Sequence, residues 1–195
     1  MRQEEVIERF RRTGAWLEGH FLLSSGLHST NYLQCALLLQ HPREAEAFGQ
    51  AIARAFQVER IETVAALGGI IIGYEVARAL GARFIWTERE EGRMCLRRGF
   101  ALRPGESILV VEDVVTTGGS TRETIDVLRQ AGGRVVAAAA IVDRSGGRAD
   151  VGVPRHALAK LEVPVYAPGN CPACARGELL IKPGSRTSKG EGSLE

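Results

Sequence analysis

Lysine is almost missing from this chain. Of its 25 basic residues, 22 are arginine and only three, at positions 160, 182 and 189, are lysine. A loop that must hold an anion is left with guanidinium groups, hydroxyls and backbone N–H donors. No Gly-Lys-Ser or Gly-Lys-Thr occurs, which excludes a Walker A phosphate loop, and the G-x-G-x-x-G dinucleotide fingerprint is absent as well. The opening MRQEEVIERFRR lacks the apolar stretch of a signal peptide, and no run approaches the ~18–20 apolar residues of a membrane span. A soluble, cytoplasmic protein is expected. The net charge of +2 is too small to argue for nucleic acid, and the first 60 residues hold no helix-turn-helix with a basic recognition face. No internal repeat is visible.

Cysteine is sparse too, at four residues, and a disulfide framework is not expected in a reducing compartment. Cys171-Pro-Ala-Cys174 forms a Cys-x-x-Cys pair, but a zinc site needs two more ligands and no second such pair exists. Cys35, Cys95 and the histidines at 20, 28, 41 and 156 are scattered along the sequence. The pair reads as a structural knuckle or an adventitious pair, with intermolecular zinc or redox sensing as alternatives.

What is present is the composition of one globular domain: 45% hydrophobic and 25% charged residues over 195 positions. Val6, Ile7 and Phe10 recur at helical spacing over 2–13, and Pro42 opens a helix over 42–57. Continuous aliphatic runs at 63–67, 83–87, 107–111 and 134–142 then alternate with helical patterns at 71–80 and 120–131. Aliphatic strands alternating with helices predict an α/β fold with a central, mostly parallel sheet flanked by helices. Ligands in such sheets bind at the carboxyl ends of the strands, so the residues after each strand carry the functional reading.

After the run at 107–111 comes Glu112-Asp113-Val114-Val115-Thr116-Thr117-Gly118-Gly119-Ser120-Thr121. Residues 116 to 121 combine hydroxyls, glycines and a helix N-terminus, which together can wrap a phosphate. Glu112 and Asp113 would repel that phosphate, so they should face vicinal hydroxyls or a bridging Mg²⁺. The bland alternative is a capped surface turn after two solvated acids.

This segment resembles the signature with which type I phosphoribosyltransferases bind 5-phosphoribosyl-1-pyrophosphate (PRPP). The resemblance implies that Glu112 and Asp113 hold the ribose hydroxyls and Thr116 to Ser120 take the 5-phosphate, with Val114 and Val115 also at PRPP and Mg²⁺ held mainly by PRPP nearby. Ala66-Leu67-Gly68-Gly69-Ile70 looks like the family's pyrophosphate loop, with Gly68 and Gly69 at PRPP and a non-proline cis peptide near Ala66–Leu67. The charged segment 88–99 looks like the mobile catalytic lid, with Arg93 first and Arg89 second as the catalytic cation and Asp113 beside them. A solvated charged loop is its alternative.

The N-terminal segment from Gly19 to Tyr32, with Ser25-Gly26-Leu27-His28-Ser29 within it, resembles the hood of orotate phosphoribosyltransferases, and Val142-Asp143-Arg144 the place of an orotate-binding arginine. An arginine fork suits a carboxylate beside planar acceptors, whereas Asp143-Arg144 could instead be a strand-end ion pair. Carried over, orotate would meet Arg144, Thr116, Ser25, Gly26 and Tyr32. Residues 1–41 form the hood, 42–165 the PRPP-binding core, and 166–195 a C-terminal segment packed on the hood and ending in a frayed tail. PRPP and orotate are the implied partners, and a homodimer that shares its lid across the interface is implied by the family. A purine or xanthine phosphoribosyltransferase and a PRPP-sensing regulator are the competing readings. This chain departs from the pattern where Ser24, Gly68 and Tyr32-Leu33 replace a lysine, a lysine and an aromatic pair.

Overall fold

The computed structural model describes residues 1–23 and 25–183; Ser24 and the tail expected to fray lie outside them. The elements run α1 (Gln3–Arg12), β1 (Trp16–Leu22), β2 (His28–Leu33), α2 (Cys35–Leu39), α3 (Pro42–Ala53), β3 (Thr63–Ala66), α4 (Ile70–Leu80), β4 (Arg83–Glu90), β5 (Arg93–Leu96), β6 (Ser107–Val115), α5 (Gly119–Gln130), β7 (Arg134–Asp143), β8 (Arg155–Lys160), β9 (Val165–Tyr166) and α6 (Pro172–Ala175). The main sheet has the order β5-β4-β3-β6-β7-β8, parallel throughout except for the edge strand β5. A second sheet, β1-β2-β9, is antiparallel and forms the hood.

Alternation along β6 explains why its sequence is apolar throughout. Leu109 and Val111 pack with α1, α3 and α4 on one face, while Ile108 and Val110 pack with α5 on the other. All four are fully buried. At roughly 1.5–3 kcal/mol per buried aliphatic side chain, such a strand is anchored from both sides. The parallel strands β3 and β6 are the point where the winding switches: the chain goes on from β3 to β4 on one side and from β6 to β7 on the other. The helices that follow them, α4 and α5, pack on opposite faces of the sheet, and the carboxyl ends of β3 and β6 between them are the usual ligand position in a sheet of this kind.

The structure departs from the expected elements in instructive ways. The charged segment 88–99 is not an irregular loop, because β4 runs on to Glu90 and β5 returns beside it, with Glu90 opposite Arg93. Its turn is Glu91-Gly92, both with positive φ (49° and 83°), which is what a two-residue hairpin of matching twist requires. Strand β6 likewise continues through both acids to Val115. Every peptide from Ala65 to Ile70 is trans, against the expected cis bond. The turn closes without one: Gly69 (φ −79°, ψ 57°) sits at the centre of an inverse γ-turn in which Ile70 N–H donates to the Gly68 carbonyl at 3.0 Å.

Candidate active site

Strand β3 ends at Ala66, paired with Val111, so β6 overhangs it by the length of Glu112 to Val115. The chain after β3 bends across that overhang. A Cβ on Gly69 would stand 2.8 Å from the Asp113 nitrogen, and one on Gly68 would stand 3.1 Å from Glu112 Oε1. At Gly69 only glycine allows this approach and at Gly68 a side chain would crowd the Glu112 carboxylate, so the Gly-Gly pair and the acid pair form one packed unit.

Glu112 is buried, and its Oε1 accepts from Gly69 N–H at 3.0 Å and from Asp113 N–H at 3.1 Å. Burial, reinforced by the neighbouring Asp113 carboxylate, pushes its pKa well above the usual range. Asp113 is more open, with Oδ1 accepting from Val114 N–H at 2.7 Å. The folded state holds the Glu112 proton more tightly than the unfolded chain does. Its stabilising effect is complete below the ordinary glutamate pKa and is lost as pH rises toward the raised folded value. Glu112→Gln keeps the acceptor oxygen and removes the charge. We expect its melting temperature to exceed wild type's by a margin that grows from about pH 5 to about pH 8. Parallel pH profiles would show that the ionised carboxylate costs the fold nothing.

Beyond Val115 the chain turns through exposed Thr116 and Thr117 into Gly118, whose φ of +79° places it in the left-handed region at the N-cap of α5. A Cβ there would also meet Val151 at 2.8 Å. Gly119 and Ser120 begin the helix, leaving N–H groups and hydroxyls at its positive end. Arg89 on β4 reaches this helix start, donating to Ser120 Oγ at 3.2 Å and pairing with Glu123 at 2.7 Å. The hairpin tip thus stands beside the Thr/Gly turn.

The small sheet brings one side chain, Tyr32, near Asp113 and Arg144. Tyr32 on β2 is half-buried, its hydroxyl pKa raised first by burial and then by the Asp113 charge, with Arg144 opposing. Asp143 does not pair with Arg144. It is satisfied by Arg155 at 3.0 Å and by Ser145 N–H, Ser145 Oγ and Gly147 N–H at 2.6–3.1 Å. Those partners hold its pKa below the usual range despite burial. Arg144 is half-buried, its buried Nε has no hydrogen-bond partner among the described residues, and burial lowers its pKa. A buried cation with an empty donor is costly unless an anion completes it.

The structure therefore brings Gly68, Gly69, Glu112, Asp113, Tyr32 and Arg144 around one crevice, with residues 116–120 at its floor. Ser25 and Gly26 are exposed at the tip of the β1–β2 hairpin, and Arg93 is exposed at the tip of the β4–β5 hairpin. Among the described residues, no hydrogen bond or ion pair joins these three to the crevice groups. Sequence reasoning missed Arg155, which frees Arg144 by taking Asp143, and β8 on which it stands. Only the lone Arg in a short, Ala-rich segment hinted at it.

Comparison with known proteins agrees with this arrangement. Residues 42–154 match the phosphoribosyl transferase domain family. The orotate phosphoribosyltransferase of Desulforamulus reducens is 52% identical over 188 residues, covering 95% of this chain and 98% of that one. The chain belongs to the orotate phosphoribosyltransferases. The Heliobacterium modesticaldum member of this family is likewise 52% identical, over 96% of this chain and all of its own length. The crystal structure of orotate phosphoribosyltransferase from Aeropyrum pernix superposes with a TM-score of 0.66 at 28% identity, covering 80% of this chain and 94% of that one.

Proposed function

We propose that this chain transfers the 5-phosphoribosyl group of PRPP to orotate, giving orotidine 5′-monophosphate and pyrophosphate in pyrimidine synthesis. The observation that carries the reading is Arg144. Its half-buried, incompletely bonded guanidinium lies across the crevice from Asp113 and beside Tyr32, where a planar base with a carboxylate would complete it.

The remaining roles follow the geometry. Residues Val114 to Ser120 take the 5-phosphate through N–H groups, hydroxyls and the start of α5. Gly68-Gly69 let the loop backbone approach the pyrophosphate, in a position that Glu112 fixes by taking the Gly69 N–H. Asp113, the freer acid, meets the ribose hydroxyls. Orotate lies between Arg144 and Tyr32, with Thr116 and the Ser25-Gly26 tip as further contacts. The C1–pyrophosphate bond breaks to leave an oxocarbenium-like ribosyl cation, which N1 of the orotate anion captures. Orotate needs little base chemistry, so the protein positions the reactants, excludes water and neutralises the leaving group.

Two adjacent carboxylates, one of them disfavoured as an anion when alone, are hard oxygen donors suited to Mg²⁺. When bound with PRPP, Mg²⁺ supplies charge neutralisation for the pyrophosphate, with Glu112 and Asp113 nearby. Ile70, Ile71 and Tyr74 are exposed together at the start of α4, which supports a homodimer joined near the pyrophosphate loop. Among the described residues no helix is long and apolar enough to cross a membrane, and we place the enzyme in the cytoplasm.

The test is loss of orotate absorbance on adding PRPP and Mg²⁺, with adenine, hypoxanthine and xanthine in parallel. Consumption of a purine but not of orotate would overturn the assignment. Asp113→Asn is expected to weaken PRPP binding in calorimetry while leaving the melting transition intact. Unchanged affinity would remove Asp113 from the ribose site.

A further inference from the structure

The histidines that look scattered in sequence converge on the Cys-x-x-Cys pair. His20 lies on β1 and His28 on β2. With Leu22 opposite His28 in the ladder, the two imidazoles are diagonal neighbours on one face of the hairpin, their ring centroids 4.8 Å apart. The C-terminal segment crosses that face. It leaves β9, which pairs with β2, and returns at Ile181, which bonds to both His20 and Leu22 of β1. Between these two anchors, Cys171 caps the short helix α6 and Cys174 lies within it, so one turn presents both sulfurs to the imidazoles.

The donor atoms of these four residues all lie within 4.8 Å of one another. His20 Nε2 is 2.8 Å from His28 Nδ1 and 3.5 Å from each sulfur, and Cys174 Sγ is 3.3 Å from His28 Nδ1. A tetrahedral zinc with Zn–S near 2.3 Å and Zn–N near 2.0 Å separates its ligands by about 3.3–3.8 Å. The cluster is already close to that size. A second, independent feature is the far side of His20: its Nδ1 lies 2.9 Å from the Glu178 carbonyl, which can only accept. That bond fixes the proton on Nδ1 and points the bare Nε2 lone pair into the cluster, as the outer partners of metal-bound histidines do. His20, His28 and Cys171 are 3–5% exposed, and the sulfurs are not joined as a disulfide.

We propose that His20, His28, Cys171 and Cys174 bind one zinc ion, which staples the C-terminal segment across the hood. All four positions are filled by protein, which marks a structural site and not a catalytic one. The need is visible in the packing: between 167 and 181 only Cys171 and Ala173 are buried, too little apolar surface to hold the crossing in place. Thiolate and imidazole donors in a tetrahedral set favour zinc over Mg²⁺ or Ca²⁺. This site is independent of the transferase reading, since the ion touches none of the crevice groups.

Elemental analysis of the full-length protein, expressed with zinc in the medium, should give about one zinc per chain. Cys174→Ser and His28→Ala should each lower that content at least about tenfold. Should a variant fail to fold, wild-type protein stripped of metal and titrated with Co²⁺ provides the second measurement. It should develop the intense visible bands of tetrahedral cobalt with sulfur-to-metal charge transfer, and zinc should abolish them. Trypsin cleavage after Arg176, which lies just past the pair, should accelerate on stripping and slow again when zinc is restored. No metal in the purified protein together with no tetrahedral cobalt spectrum would overturn the proposal. A Cys171–Cys174 disulfide, iron or copper in place of zinc, or full zinc content in both variants would do so as well.

Discussion

Arg93→Ala is expected to lower turnover by about 10²-fold or more, the scale of losing one preorganised charge donor to a leaving group. With no lysine in the hairpin, we propose that an arginine neutralises the departing pyrophosphate, and the two candidates differ in their surroundings. Arg89 is already bound to Glu123, to Ser120 Oγ and to the Gly92 carbonyl, so it holds the hairpin against α5. Arg93 is exposed beyond it with no ion pair among the described residues, at the carboxyl end of the sheet where substrates would enter. Removing Arg89 should loosen the hairpin, raising the PRPP Michaelis constant as well as lowering turnover. Removing Arg93 should act mainly on turnover, since its charge matters most as the bond breaks. Whether it serves its own crevice or a neighbour's is testable by mixing. Arg93→Ala and Asp113→Asn should each be nearly inactive alone at PRPP levels well below the Asp113→Asn Michaelis constant, yet in the proposed homodimer a mixed pair with a shared lid would have one intact site and one doubly broken site. Equal mixing gives half mixed dimers, so about a quarter of wild-type activity should return. Confirmed subunit exchange with no recovery would mean that each lid serves its own chain.

The parts of this fold that were legible in the sequence are those where one residue type has one physical use. Aliphatic runs at 63–67 and 107–111 had to be strands covered on both sides, and Pro42 had to start a helix. The acid pair and the Thr/Gly turn were legible for the same reason, because anion-wrapping groups and carboxylates cannot serve one ligand atom. What stayed hidden depends on long-range meetings. The charged segment looked like a loop because Glu88, Arg89, Glu90, Glu91 and Arg93 crowd its turn while its short apolar run, Met94 to Leu96, is only half-buried, and Glu91-Gly92 alone betrays the turn. The trans turn at Gly68-Gly69 follows from Glu112 reaching across from another strand, a contact 43 residues distant that local pattern cannot report. The four-donor cluster was hidden in the same way, since His20 and Cys171 are 151 residues apart and meet only when the C-terminal segment recrosses the hood.

Arg144→Ala should raise the orotate Michaelis constant by about 10²-fold while changing that of PRPP little, since only the base carboxylate loses its partner. Truncating one member of a desolvated charge pair typically costs 2–5 kcal/mol, which spans that factor. The structure adds an expectation of opposite sign for stability. The Arg144 side chain is half-buried, its Nε has no partner among the described residues, and Asp143 next door is committed to Arg155. Burial alone lowers its pKa, which is the signature of a cation held at a cost. The variant's melting temperature should therefore equal or exceed wild type's even as orotate binding fails. A structural ion pair would behave differently, because breaking it leaves a buried charge alone and destabilises the fold by about 3–5 kcal/mol. That loss is what Arg155→Ala should show, where Asp143 is abandoned. If Arg144→Ala instead melts early and both Michaelis constants rise together, Arg144 belongs to the scaffold, and the carboxylate of orotate must be met elsewhere in the crevice.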